Sequence, residues 1–212
     1  HEELSFLLSD NTADTIVPTS LAYLQTKDKS AFSDWEQKDV RLALGNFIGP
    51  RRALGIGLTY RHEREAGVST QQAALSMGSI FGLSQNLGVA FVVDNLVPLS
   101  QAPGARERLS PLTSVGLSYN FGKFLRVRLD GTTERNNSLH RPLIAAGVEN
   151  YWNRWLIFRL GAARDNELEQ NIFSTGLGFD GPRFGIHYAF QAVEAPQGRD
   201  QRHSVDLVFV LW

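Results

Sequence analysis

Apolar and polar positions alternate with a period of two along almost the whole chain, and helical periodicity is scarce. Leu54, Ile56, Leu58 and Tyr60 interleave with Gly55, Gly57, Thr59 and Arg61. Val115, Leu117, Tyr119 and Phe121 interleave with Gly116, Ser118 and Asn120, and Phe184, Ile186, Tyr188 and Phe190 with Arg183, Gly185, His187 and Ala189. Side chains of a strand point alternately to its two faces, so each stretch predicts a strand with one apolar face and one small or polar face. Phe124 to Asp130 makes the point most sharply: Leu125, Val127 and Leu129 share one side, and Arg126, Arg128 and Asp130 the other. No soluble core accommodates that second face.

Turn signals between the alternating runs divide the chain into about twelve strands, near 15–25, 36–48, 53–63, 69–83, 87–97, 109–121, 124–134, 139–151, 154–164, 169–179, 183–194 and 201–212. Tight turns at Gly49-Pro50-Arg51, Ser84-Gln85-Asn86, Gly122-Lys123, Trp152-Asn153 and Gly181-Pro182 alternate with expected longer polar loops near 26–35, 64–68, 98–108, 135–138, 165–168 and 195–200. Short turns on one side and longer loops on the other are the arrangement of a transmembrane β-barrel, with the short turns periplasmic. The expected fold class is therefore an all-β, transmembrane antiparallel barrel of about 12 strands, within a range of about 12–14. The barrel occupies residues 15–212, and residues 1–14 form an N-terminal periplasmic or lumenal segment. Leu4 to Leu8 is also compatible with a further strand, in which case an even barrel needs another strand before it. The chain begins at His1 with no signal peptide, which reads as a mature or trimmed chain.

Composition agrees with this picture. No run approaches the roughly 18 to 20 apolar residues of a membrane-spanning helix, whereas a barrel crosses with short alternating strands and keeps the hydropathy of a soluble protein. In lipid every backbone N–H and C=O needs a partner, so a spanning sheet must close. The formal charge is -1, without the basic field that nucleic acid requires, and no nucleic-acid partner is expected. The chain has no cysteine, which removes disulfides, thiolate metal sites and thiol catalysis.

Candidate residues follow from face and position. Arg41, Arg61, Arg126, Arg128, Asp130, Arg159 and His187 fall on the polar faces and are expected to face the lumen. The interleaving of opposite charges such as Arg128 and Asp130 favours a filled lumen over an open pore. Phe47, Phe121, Phe124, Tyr151, Trp152, Trp155 and Phe184 surround the short turns and are candidates for an interfacial aromatic girdle. Trp212, at the end of an amphipathic last strand, is a candidate insertion signal. His203, Ser204 and Asp206 include the residue types of a nucleophile triad, but alternation sets His203 on the opposite face from the other two, so no catalytic residue is expected. No pair of histidines has helical metal-ligand spacing, and the loop carboxylates Asp165, Glu167 and Glu169 lack the calcium-loop pattern. No metal and no cofactor are expected.

From about residue 70 onward a series of short motifs resembles the PorV/UPF0164 family, a branch of the outer-membrane barrels that include the FadL long-chain fatty-acid transporters. The matching pieces are Leu87-Gly88-Val89-Ala90, Asp94-Asn95-Leu96, Val115-Gly116-Leu117-Ser118-Tyr119, Ala146-Gly147-Val148-Glu149, Phe158-Arg159-Leu160-Gly161, Gly176-Leu177-Gly178-Phe179, His187-Tyr188-Ala189-Phe190 and His203-Ser204-Val205. The Asn-Pro-Ala motif typical of the family is absent from this sequence. The resemblance implies a bacterial outer-membrane location, contact with outer-membrane lipid and a protein partner, with the barrel acting as an interaction component of an envelope, secretion or motility assembly. The alternative is a FadL-like transporter or channel for hydrophobic or small solutes, and an outer-membrane enzyme is the least favoured reading.

Overall fold

The structure, a computed structural model, describes residues 2–10, 17–30, 33–65, 67–100, 109–134, 142–153 and 155–209. Trp212 and His140 lie outside the described residues. The described residues form thirteen strands and no helix: β1 (Glu2–Asp10), β2 (Thr19–Ser30), β3 (Ser33–Gly49), β4 (Arg52–Glu65), β5 (Val68–Gly82), β6 (Leu87–Ser100), β7 (Leu112–Phe121), β8 (Leu125–Glu134), β9 (Leu143–Tyr151), β10 (Leu156–Asp165), β11 (Gln170–Asp180), β12 (Phe184–Ala195) and β13 (Gly198–Phe209). They make one antiparallel sheet in which neighbours in sequence are neighbours in space. Each strand expected from alternation coincides with one of β2–β13. Leu4 to Leu8 lies in β1, which pairs with β2 from Glu2↔Lys27 to Asp10↔Thr19 and brings the count to thirteen.

Several expected loops are strand instead. β2 and β3 stay paired to Ser30↔Ser33, β4 and β5 to Glu65↔Val68, and β12 and β13 to Ala195↔Gly198, so the described residues of the stretches at 26–35, 64–68 and 195–200 are largely paired strand. Charge that suggested a solvated loop is used in ion pairs along and across the strands. The Nζ atoms of Lys27 and Lys38 each lie 3.3 Å from Glu36 Oε1, and Arg199 Nε lies 3.9 Å from Glu194 Oε1. Opposite charges facing one another across an antiparallel pair support strand rather than loop. The loop expected at 165–168 is a four-residue turn, 166–169, between β10 and β11, while most of 98–108 and all of 135–138 lie outside the described residues.

The chain divides into two compact units, residues 1–81 with 91–113, and residues 82–90 with 114–212. In the first, strand register lines up like residues in transverse rows. Leu8, Leu21, Leu42, Leu58 and Leu75 form one row across β1–β5, and all five are exposed. Phe6, Tyr23, Val40, Tyr60 and Ala73 form the next row on the same face, followed on β2–β5 by Gln25, Lys38, His62 and Gln71. The apolar run on β4 from Leu54 to Tyr60 covers six residue steps, roughly 20 Å. In the second unit Phe158, Leu177, Tyr188 and Val205 form an exposed apolar row across β10–β13. This register also settles the last strand, where Val205, Leu207 and Phe209 share the apolar face and Asp206 and Val208 lie opposite Gly185 and His187 on the other.

Leu54, Ile56, Leu58, Val115, Leu117, Tyr119, Phe184, Ile186 and Tyr188 are all exposed, while the largest fully buried side chains among the described residues are the polar Gln72, Glu63 and Asp39. A soluble sheet protein buries the first set and exposes the second. The inversion is what a strand needs when its outer face meets lipid.

Candidate functional site

In the second unit the polar faces of β7–β12 carry one continuous chain of hydrogen bonds near the short turns. At its centre is Glu149 on β9, directly opposite Arg126 on β8 and Arg159 on β10. Arg159 Nε donates to Glu149 Oε2 at 2.7 Å, Arg126 Nη1 to Oε1 at 3.3 Å, and the Tyr151 hydroxyl to Oε1 at 2.6 Å. Arg126 Nε also reaches Asn120 Oδ1 on β7 at 2.8 Å. On the other flank Arg159 Nη1 lies 3.1 Å from His187 Nδ1, and His187 Nε2 lies 2.8 Å from Asp180 Oδ1. A guanidinium only donates, so Nδ1 accepts and Nε2 carries the proton given to Asp180. Gly178 makes this possible, because a side chain there would collide with the His187 ring, and at Gly185 a Cβ would stand 2.8 Å from Asp180 Oδ1.

Further along the strands the same face is lined by small residues: Ala145 and Gly147 on β9, Gly161 and Ala163 on β10, Ser174 and Gly176 on β11, and Ala189 on β12. Arg128 and Asp130 share the face of Arg126 and are exposed. The mutual neutralisation expected of them is not seen. Among the described residues neither forms an ion pair; Asp130 leans over Gly116 of β7 instead.

The polar face of the first unit is organised around Asp39, whose side chain is fully buried. Arg61 grips it with two bonds of 2.9 Å, Nε to Oδ1 and Nη2 to Oδ2. Arg41 Nη2 approaches Oδ2 at 3.4 Å and Gln37 Nε2 donates to Oδ1 at 3.2 Å. The indole N–H of Trp35 donates to Glu63 Oε1 at 2.8 Å. The stretch leading into β7 is fixed to this face as well: Leu109 N–H donates to Gln72 Oε1 at 3.0 Å, and Asn95 Nδ2 to the Ser110 carbonyl at 3.1 Å. Asn95 holds a left-handed backbone (φ 52), a conformation Asn tolerates better than most residues, and its own N–H is held by Ser76 Oγ at 3.0 Å.

All seven expected lumenal residues thus sit on the polar faces, but only five enter networks: Arg41 and Arg61 in the first unit, and Arg126, Arg159 and His187 in the second. Their acidic partners Asp39, Glu149 and Asp180, and the buried Glu63 and Gln72, were missed from sequence. Parity along the strand was the available signal, since Glu149 shares a face with Gly147.

Of the girdle candidates, Phe47, Phe121, Phe124, Trp152, Trp155 and Phe184 are exposed. Tyr151 is a correction: it lies two residues from Glu149, faces the same way, and is a network donor. Phe179 takes a place among the aromatics, between Trp155 at 6.4 Å and Phe184 at 5.8 Å. His203 does not meet Ser204 or Asp206; its Nδ1 lies 2.7 Å from the Tyr188 hydroxyl on the apolar face. Among the described residues no cluster of three or more His, Cys, Asp or Glu that could hold a metal ion occurs.

No protein-family model matches the chain, and no curated protein matches its sequence. Solved structures match its fold. The CymD monoaromatic hydrocarbon channel superimposes with a TM-score of 0.74 at 9% identity, over 97% of this chain and 80% of that one. The toluene transporter TbuX of Ralstonia pickettii gives 0.74 at 10% identity, over 96% and 79%. A FadL homologue of Pseudomonas aeruginosa gives 0.65 at 11%, over 96% and 75%. At such identity the likeness is one of fold, that of an all-β, antiparallel transmembrane barrel.

Proposed function

We propose that this chain is an outer-membrane channel or transporter for small hydrophobic molecules, with a monoaromatic hydrocarbon as the first substrate class to try. The observation that carries the reading is the likeness of nearly the whole chain to a hydrocarbon channel and a toluene transporter. The lining agrees with it. The small residues on the polar faces of β9–β12 leave room for a solute, while the Arg126–Glu149–Arg159–His187 chain forms a rigid polar belt near the short turns. The interaction-component role rests on the narrower PorV/UPF0164 resemblance, which no family match supports, and transport takes precedence over it.

The test is uptake of radiolabelled toluene by bacteria that lack their own aromatic-hydrocarbon channel and carry this protein in the outer membrane. Faster uptake than in cells with an empty vector is expected. Uptake equal to the control, with the protein folded and correctly located, would overturn the reading. A stoichiometric protein partner co-eluting in mild detergent, with no gain in uptake, would restore the assembly role.

A further inference from the structure

Directly above the Asp39–Arg61 pair, register places Gln37, Glu63 and Thr70 side by side across β3, β4 and β5 on the polar face. Glu63 is 2% exposed and Gln37 is 6% exposed. Among the described residues Gln37 Oε1, Glu63 Oε2 and Thr70 Oγ1 are buried and lack any hydrogen-bond partner. Gln37 Oε1 and Glu63 Oε2 are pure acceptors that receive no donor, and the Thr70 hydroxyl in the same transverse row is unpaired as well. Gln37 Nε2 is held by Asp39 Oδ1, so its amide cannot be turned without setting the carbonyl against a carboxylate.

Charge points the same way. Glu63 accepts one bond, from the neutral Trp35 indole, and no ion pair involving it occurs among the described residues. Arg61 is engaged by Asp39, while Glu36 on the opposite face has Lys27 and Lys38 beside it. A buried carboxylate with no positive partner in contact is strongly disfavoured. A proton on Glu63 would supply one donor to one oxygen. A hard cation accepts carboxylate, amide and hydroxyl oxygens together. Arg61 and Arg41 both close on Asp39 and neither pairs with Glu63, so a single positive charge in the row would be the one in direct contact with that carboxylate.

We infer that Gln37, Glu63 and Thr70 bind a single small monovalent cation, Na+, through these three oxygens. The row stands just beyond the level at which the outer face changes from Val40 and Tyr60 to Lys38 and His62, so the cation reaches it from the aqueous side of the lipid band. Bound there, it ties β3, β4 and β5 together at their charged ends.

The experiment is thermal unfolding of the full chain in detergent micelles, in NaCl or in choline chloride at equal ionic strength. Emission from Trp35, whose indole touches Glu63, provides a local readout. Linkage predicts a melting temperature that rises with the logarithm of Na+ concentration, by about 5 °C or more at one hundred times Kd. In Glu63→Gln the new amide N–H₂ supplies a donor to the row, so the variant should melt at one temperature in both salts. Should Glu63→Gln fail to fold, Thr70→Val should weaken Na+ dependence at least tenfold in concentration, and Trp35→Phe should remove the Na+-induced emission change. Equal responses to sodium and choline would overturn the assignment. So would stabilisation by acid alone, which would make Glu63 a protonated carboxyl, or a response to micromolar Ca2+ that Na+ does not produce.

Discussion

At the scale of single residues, the most deeply buried ion pair among the described residues is the grip of Arg61 on Asp39. Asp39 is 1% exposed, and both of its oxygens are engaged. Asp39→Asn removes the buried negative charge on which both Arg61 and Arg41 close, and breaking a buried pair costs about 3 to 5 kcal/mol. Arg202→Gln, at the fully exposed Arg202–Asp200 pair, should leave stability unchanged, since water solvates those groups equally well apart. Reversible denaturant unfolding in lipid micelles separates the two; equal losses would mean that Asp39 is wetter than the structure shows. Such pairings were only half legible beforehand. Alternation places Arg61 on the polar face, but its partner is fixed by the β3–β4 register, which brings Asp39 opposite it from more than twenty positions away. The same holds for Glu149, which the sequence presents only as one member of the run Ala146-Gly147-Val148-Glu149. Tyr151 was assigned to the girdle because it adjoins a turn, yet counting two residues back to Glu149 would have turned it inward.

At the scale of the strand, the boundary between lipid and water is marked by adjacent rows of one face. Leu58 belongs to the leucine row of β1–β5, and His62, four residues on, belongs to the polar row with Lys38 and Gln71. Arginine on the lipid face costs about 2 to 4 kcal/mol at mid-bilayer and about 0 to 1 near the interface. Leu58→Arg should therefore impair assembly severely, and His62→Arg should be tolerated, as judged by heat-modifiable migration after refolding into vesicles. Equal tolerance would remove the lipid assignment of this face. Strands were the most legible feature of the chain, since a barrel strand must keep its two-residue period to satisfy lipid on one side and lumen on the other. Their charged ends were the least legible. Lys27, Glu36 and Lys38 look like a solvated loop in one dimension and become a cross-strand cluster only once β2 and β3 are paired.

At the scale of the whole molecule, transport requires that some of the polar face stay unfilled. Polar belts alone would suit a plugged barrel, the outcome favoured by interleaved charges in the sequence, but Arg128 and Asp130 are exposed and stay apart. On the transport function proposed above, the small residues of β9–β12 are the feature on which passage would depend. Gly147 is the best place to test it, because a Cβ there meets only the Leu160 carbonyl oxygen at 3.6 Å, an ordinary contact that leaves the strand undisturbed. Gly147→Trp should fill part of the lumen and lower hydrocarbon uptake severalfold, with heat-modifiability and melting temperature close to those of the parent. Val148→Trp, one residue along and on the exposed apolar face, adds a comparable ring toward lipid and should leave uptake unaltered. Two positions separated by a single peptide bond thus ask one question, which face the solute uses. A loss confined to Gly147→Trp assigns the route to the polar face, whereas equal uptake in both variants removes these small residues from the path.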